Sequence, residues 1–115
     1  MIKVLLERRV KKKDYAKLMD HLIDLRSAAL HQPGYISGET LIKGNDPVDI
    51  LTISTWISED HWKAWITSEQ RIELNDAINH LVVGDAKVNV YNVQFAEDEF
   101  PAIAPIGLDH ILLNI

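Results

Sequence analysis

The sequence predicts an α+β fold of the ferredoxin-like kind, an antiparallel sheet with both helices packed on one face. Three observations carry that reading: strand-like apolar runs over residues 2–10, 35–43, 49–57 and 87–95, helical spacing of apolar residues from Asp14 and again from Ser58, and the resulting order strand, helix, strand, strand, helix, strand. Right-handed crossovers put consecutive helices on the same side of such a sheet.

The first strand alternates, with Ile2, Val4, Leu6 and Arg8 on one face and Lys3, Leu5 and Glu7 on the other, so both faces are partly apolar. Asp14 is the predicted N-cap of a helix whose stripe runs through Leu18, Met19, Leu22, Ile23, Arg26 and Ala29 until Pro33-Gly34 stops it. Gly44-Asn45-Asp46-Pro47 is a turn short enough to join the second and third strands as an antiparallel hairpin. Ser58 caps the second helix, which carries Trp62, Trp65 and Ile66 on one face, is interrupted near Thr67-Ser68, and resumes through Ile72, Leu74, Ile78, Leu81 and Val82 to Gly84. Val88 and Val90 alternate with Asn89 and Tyr91 in the last strand.

Residues 1–95 are thus expected to form one domain and residues 96–115 a separate arm. The arm opens with Glu97-Asp98-Glu99 but then carries Phe100, Ile103, Ile106, Leu108, Ile111 and Leu112. It is too apolar to stand in water and is expected to dock on the domain or on a partner subunit. Leu51, Ile53 and Ile57 oppose Ile50 and Trp56 in parity, so the sheet face without helices should also be dry. A homodimer with two sheets face to face would bury that face at about 25 cal/mol per Å2.

Composition narrows the chemistry. The 115 residues include no cysteine, which removes disulfides, thiolate metal sites and a cysteine nucleophile and fits a cytoplasmic location. The net charge of −5 argues against general affinity for nucleic acid or anionic lipid. Arg8-Arg9-Val10-Lys11-Lys12-Lys13 is the exception, read here as a solvated turn. Nothing approaches the roughly 18 consecutive apolar residues of a membrane span. His21, His31, His61, His80 and His110 offer no pair at i, i+3 or i, i+4, so no metal site is expected. Nucleotide-cradling glycine loops and a Gly-x-Ser-x-Gly elbow are absent, and no cofactor is expected.

The densest chemical signal is aromatic. Trp56, Trp62 and Trp65 fall within ten positions at a strand-to-helix junction, where indoles can fill a small core or wall a flat cavity. Thr52 and Ser54 share the face of Trp56, and small hydroxyls there leave room beside the ring. His80 flanks the apolar positions Ile78 and Leu81, and its imidazole is the candidate proton acceptor. Arg8, on an inward-looking face, is either a guanidinium holding a ligand's phenolate or carboxylate, or a strand-end arginine that reaches solvent or pairs with Asp76 or a carboxylate of the arm.

Pro33-Gly34-Tyr35 before a hairpin, then Thr55-Trp56-Ile57-Ser58-Glu59-Asp60 running into Trp62-Lys63-Ala64-Trp65, resembles the antibiotic biosynthesis monooxygenase (ABM) family over about residues 1–95. The resemblance implies a dimeric α/β barrel and a range of activities: cofactor-free oxygenases of polyketide aromatics, quinol monooxygenases, haem-degrading oxygenases and members without known activity. By that resemblance Trp56 matches the pocket tryptophan of the cofactor-free oxygenases, while their pocket asparagine falls on Thr52, their tyrosine on Trp62 and their arginine on Asp76. For the haem-degrading branch Trp65 matches the pocket tryptophan, the proximal histidine falls on Asn75 and the first-strand asparagine at or near Arg8. Haem degradation is set aside on that ground, because an amide is a poor axial ligand for iron.

Two functions follow as expectations. One is a homodimeric, cofactor-independent monooxygenase of an aromatic, quinol-type or polyketide-type substrate, with His80 and Arg8 as catalytic groups and Trp56, Trp62, Trp65, Thr52, Asn75 and Asp76 around the substrate. The other is a non-catalytic ligand-binding or stress-responsive barrel. A cavity of a few hundred Å3 with a polar group inside favours the first, and indoles packed solid favour the second.

Overall fold

A computed structural model describes residues 1–95 of the chain. The arm expected over residues 96–115 lies outside the described residues. Four strands, β1 (Ile2–Val10), β2 (Tyr35–Gly44), β3 (Val48–Trp56) and β4 (Lys87–Asn92), form one sheet in the order β2-β3-β1-β4, with every pairing antiparallel. Three helices are described: α1 (Tyr15–Ala29), α2 (Glu59–Ile66) and α3 (Glu69–Asn79). This is the ferredoxin-like arrangement, with the second helix divided in two. No helix among the described residues is long and apolar enough to cross a membrane.

The local chemistry explains each boundary. Ser58 and Ser68 each stand in extended conformation and accept from the backbone N–H three residues on, His61 and Arg71, at 3.2 Å in both cases. The two caps let α2 end at Ile66 and α3 start afresh at Glu69. Asp14 precedes α1 but makes no side-chain cap bond, because Lys12–Asp14 already winds a 3-10 turn and Asp14 itself has helical backbone angles. β4 stops at Asn92, three residues short of the predicted end, because Asn92 pairs with Ile2, the first residue of β1. Only the bond from the Val93 N–H to the Met1 carbonyl extends the ladder.

Register assigns the faces. Ile2, Val4, Leu6, Arg8 and Val10 lie opposite Trp56, Ser54, Thr52, Ile50 and Val48, and these rows face the helices. Beneath the helices the core is split. Val10, Val48 and Ile50 pack with Leu18, Leu22 and Ile78 at one end, while Ile2, Val4 and Trp56 pack with Ala29 and Trp65 at the other. Between them the rows Gly38–Ser54 and Thr40–Thr52 of β2 and β3 carry small side chains. The gap they leave positions the site.

On the opposite face the register brings Leu5, Leu51 and Ile53 together, each half-buried, with Leu41 and Tyr91 exposed beside them. Charge gathers toward one end, where Arg9 and Asp49 form an exposed ion pair at 2.9 Å.

Candidate active site

A cleft of about 90 Å3 opens between the sheet and the helices, in the gap between the two core clusters. Gly38, Thr40, Thr52 and Ser54 make its floor, and Tyr35, Trp56, Trp62 and Trp65 its aromatic walls. Leu22, Leu25 and Ala29 of α1 form the roof. It is smaller than the few hundred Å3 expected for a large ligand, yet the indoles do not fill it, and it has room for several waters.

The walls are held individually. Trp56 closes β3, is 1% exposed, donates from Nε1 to Ser54 Oγ at 3.0 Å, and receives Tyr35 edge-on with ring centroids 5.3 Å apart at 88°. Offset and perpendicular pairs of this kind place a positive ring edge on a negative face. Trp62 and Trp65 stand one turn apart on α2 and so share a face. The start of α2 is fixed twice, by the Ser58 cap and by His61, whose ring lies against Gly34 at φ +84°. A Cβ at Gly38 would run into the Tyr35 hydroxyl, so the glycine is what lets this phenol lie across the floor.

The polar end is cationic. Arg8 is only 5% exposed and donates from Nη2 to Asn75 Oδ1 at 3.3 Å, and Arg71, one turn before Asn75 on α3, lines the same cleft. Arg26 of α1 stands at the exposed rim. Burial, and after it the charge of Arg71, pushes the Arg8 guanidinium down to about 10, and burial lowers Arg71 as well. Among the described residues neither Arg8 nor Arg71 has a carboxylate partner. Glu39, an acidic residue on the cleft lining, is exposed and pairs with neither.

The predicted site residues therefore divide. Arg8, Thr52, Trp56, Trp62 and Trp65 line one cleft, and Asn75 touches it through Arg8. Asp76 and His80 do not line it. Both are exposed, and a ring nitrogen of His80 sits 2.7 Å from the Asp76 carbonyl oxygen, because α3 ends at Asn79 and its stripe stops at Ile78. Asp76 also leaves Arg8 unpaired, its place being taken by Asn75. The apolar stripe of the second helix does not single out Arg71, because its place on the cleft follows from the tertiary packing of α3.

Among the described residues no group of three His, Asp or Glu side chains could hold a metal ion. Asn75, on which the proximal histidine of the haem-degrading branch falls by resemblance, does not line the cleft and gives its carboxamide oxygen to Arg8.

A sequence model described as antibiotic biosynthesis monooxygenase matches residues 1–76. No curated protein matches the sequence. Among solved structures, a provisionally assigned antibiotic biosynthesis monooxygenase from Deinococcus radiodurans superposes with a TM-score of 0.76 at 18% identity, over 87% of this chain and 99% of that one. A variant of SnoaB, a cofactor-independent oxygenase from Streptomyces nogalater, gives 0.73 at 12% identity over 85% and 98%. A conserved protein from Methanosarcina mazei gives 0.72 at 19% identity over 78% and 89%. Likeness at these identities is likeness of fold.

Proposed function

The chain belongs to the antibiotic biosynthesis monooxygenase family, and from that membership we propose that it is a small homodimeric oxygenase acting on an aromatic, quinol-type or polyketide-type substrate whose own electrons reduce O2. The observation that carries the reading is the indole-walled cleft with a buried guanidinium at its end. A hydroquinone and O2 give a hydroxyquinone and water: one oxygen atom enters the ring, the other leaves as water, and the substrate supplies every electron. What such a reaction asks of the protein is a phenolate, since the ionised ring is the better electron donor. Arg8 favours that ionisation by placing positive charge at low dielectric, and the proton leaves to solvent through the open mouth. Trp56, Trp62 and Trp65 clamp the ring plane, and the Thr52 hydroxyl on the floor offers a hydrogen bond to a ring oxygen. His80 has no part in this reading, because its imidazole lies away from the cleft.

One observation favours the second reading, a non-catalytic ligand-binding barrel: among the described residues no imidazole lines the cleft. Oxygen consumption separates the two. Purified protein presented with hydroquinones and anthrone-type phenols is expected to accelerate O2 uptake above the buffer rate. No acceleration by any member of the panel would leave the binding reading alone.

The dimer is part of the proposal. The apolar patch Leu5, Leu41, Leu51, Ile53 and Tyr91 on the helix-free face has a polar rim, the composition of a contact surface, and a second copy stacked on it closes the barrel.

A further inference from the structure

We infer that the cleft recognises an aromatic acid, its carboxylate received between Arg8 and Arg71 while its ring lies among the indoles. Naming that acid as the substrate rests on the oxygenase reading; the recognition itself rests on the cleft alone. Arg8 comes from the C-terminal part of β1 and Arg71 from the first turn of α3, so two separate elements deliver like charges to one cavity. Like charges in a poorly hydrated place repel, and burial costs each of them hydration. A fold that only needed to fill this space would place apolar side chains here, as it does at both flanking clusters.

The Arg8 guanidinium is held by a neutral group, Asn75 Oδ1, which accepts from it without cancelling its charge. The backbone of Arg71 is fixed by the Ser68 cap, and among the described residues its guanidinium has no carboxylate partner. Arg26 at the rim adds a third cation on the approach from solvent. A planar carboxylate offers two oxygens, one to each guanidinium, in charge-assisted hydrogen bonds that are stronger than those between neutral groups. A neutral phenol uses one such donor and leaves the second unanswered. An aryl carboxylate uses both.

The test uses the full chain and the fluorescence of its indoles, with 4-hydroxybenzoate and its neutral amide, 4-hydroxybenzamide, as probes. The acid is expected to quench and to bind about tenfold more tightly than the amide or better. Arg71→Gln, at a half-buried position, is expected to cost the acid about tenfold in affinity and the amide markedly less, so that the preference for the acid shrinks. Arg71→Lys should fall between the two, keeping charge and losing the fork. Equal affinity for acid and amide overturns the inference, as does an Arg71→Gln variant that binds the acid as the parent does, or a parent that binds neither. O2 uptake keeps the two claims apart. Charge-selective binding with no uptake from any phenol supports this site and removes the oxygenase reading. Uptake from neutral phenols as fast as from their acid counterparts does the reverse.

Discussion

Arg8 is the residue at which stability and recognition pull apart. The residue is 5% exposed, its guanidinium is held by one amide oxygen at 3.3 Å, and the nearby Arg71 charge opposes it. Removing an uncompensated buried charge of this kind is often neutral or stabilising when a side chain of similar volume replaces it. Arg8→Met is therefore expected to unfold in urea at an unchanged or higher midpoint, gaining up to about 2 kcal/mol, while losing its ligand. A loss of several kcal/mol instead would make Arg8 a structural partner. Its pH behaviour has a defined sign. The folded-state value of about 10 lies below the ordinary guanidinium range, so from about 10 upward the folded chain holds fewer protons than the unfolded one, and the burial penalty present at all lower pH is relieved there. Ligand binding through Arg8 should be flat near neutrality and fall as pH rises through about 10. Arg8 could be read from the alternation of β1, whereas Arg71 could not, because its meaning depends on α3 crossing β1 and on which strand lies beneath it.

At the scale of elements, the junctions rather than the interiors decide the site. Strand alternation and the Thr67-Ser68 interruption announce themselves in the sequence because they are local, set by period and by capping hydroxyls. The end of α3 is not local. Leu81 and Val82 continue the apolar spacing beyond Asn79, but Val82 leaves the helix to bridge Val10 of β1, and His80 is turned outward with it. That is why an imidazole predicted near a cavity stands at a helix end. The β2 entrance shows the same economy: Gly34 takes φ +84°, passes its carbonyl to the Ile57 N–H at 2.8 Å, and lets the His61 ring approach. A side chain in the left-handed region costs about 1–2 kcal/mol before any clash. Gly34→Ala is expected to lose at least that much by urea denaturation and to displace α2, lowering indole protection from acrylamide quenching. A stability unchanged from the parent would show that the loop has slack.

The whole molecule is a sheet with two unlike faces. One carries the helices and the cleft; the other carries Leu5, Leu51 and Ile53 at its centre with charges around them. The proposed dimer is checked by mass. Sedimentation at micromolar concentration should give twice the 13.1 kDa of one chain, and Ile53→Lys, aimed into the centre of that face, should give a monomer with unchanged far-ultraviolet circular dichroism. A parent sedimenting as one chain would remove the second copy and leave the sheet wet.

What unites the scales is that the small residues Gly38, Thr40, Thr52 and Ser54 keep a gap open between two apolar clusters, the space proposed here for the reaction of an aromatic substrate with O2. The most direct measurement is turnover of a hydroquinone under 18O2, read by mass spectrometry, for the parent and for Thr52→Leu, which fills the floor without adding charge. The parent is expected to place one labelled oxygen atom in the product, and the filled variant, folded as judged by circular dichroism, to lose most of that turnover. Unlabelled product from the parent, or equal labelling by the filled variant, would contradict the account.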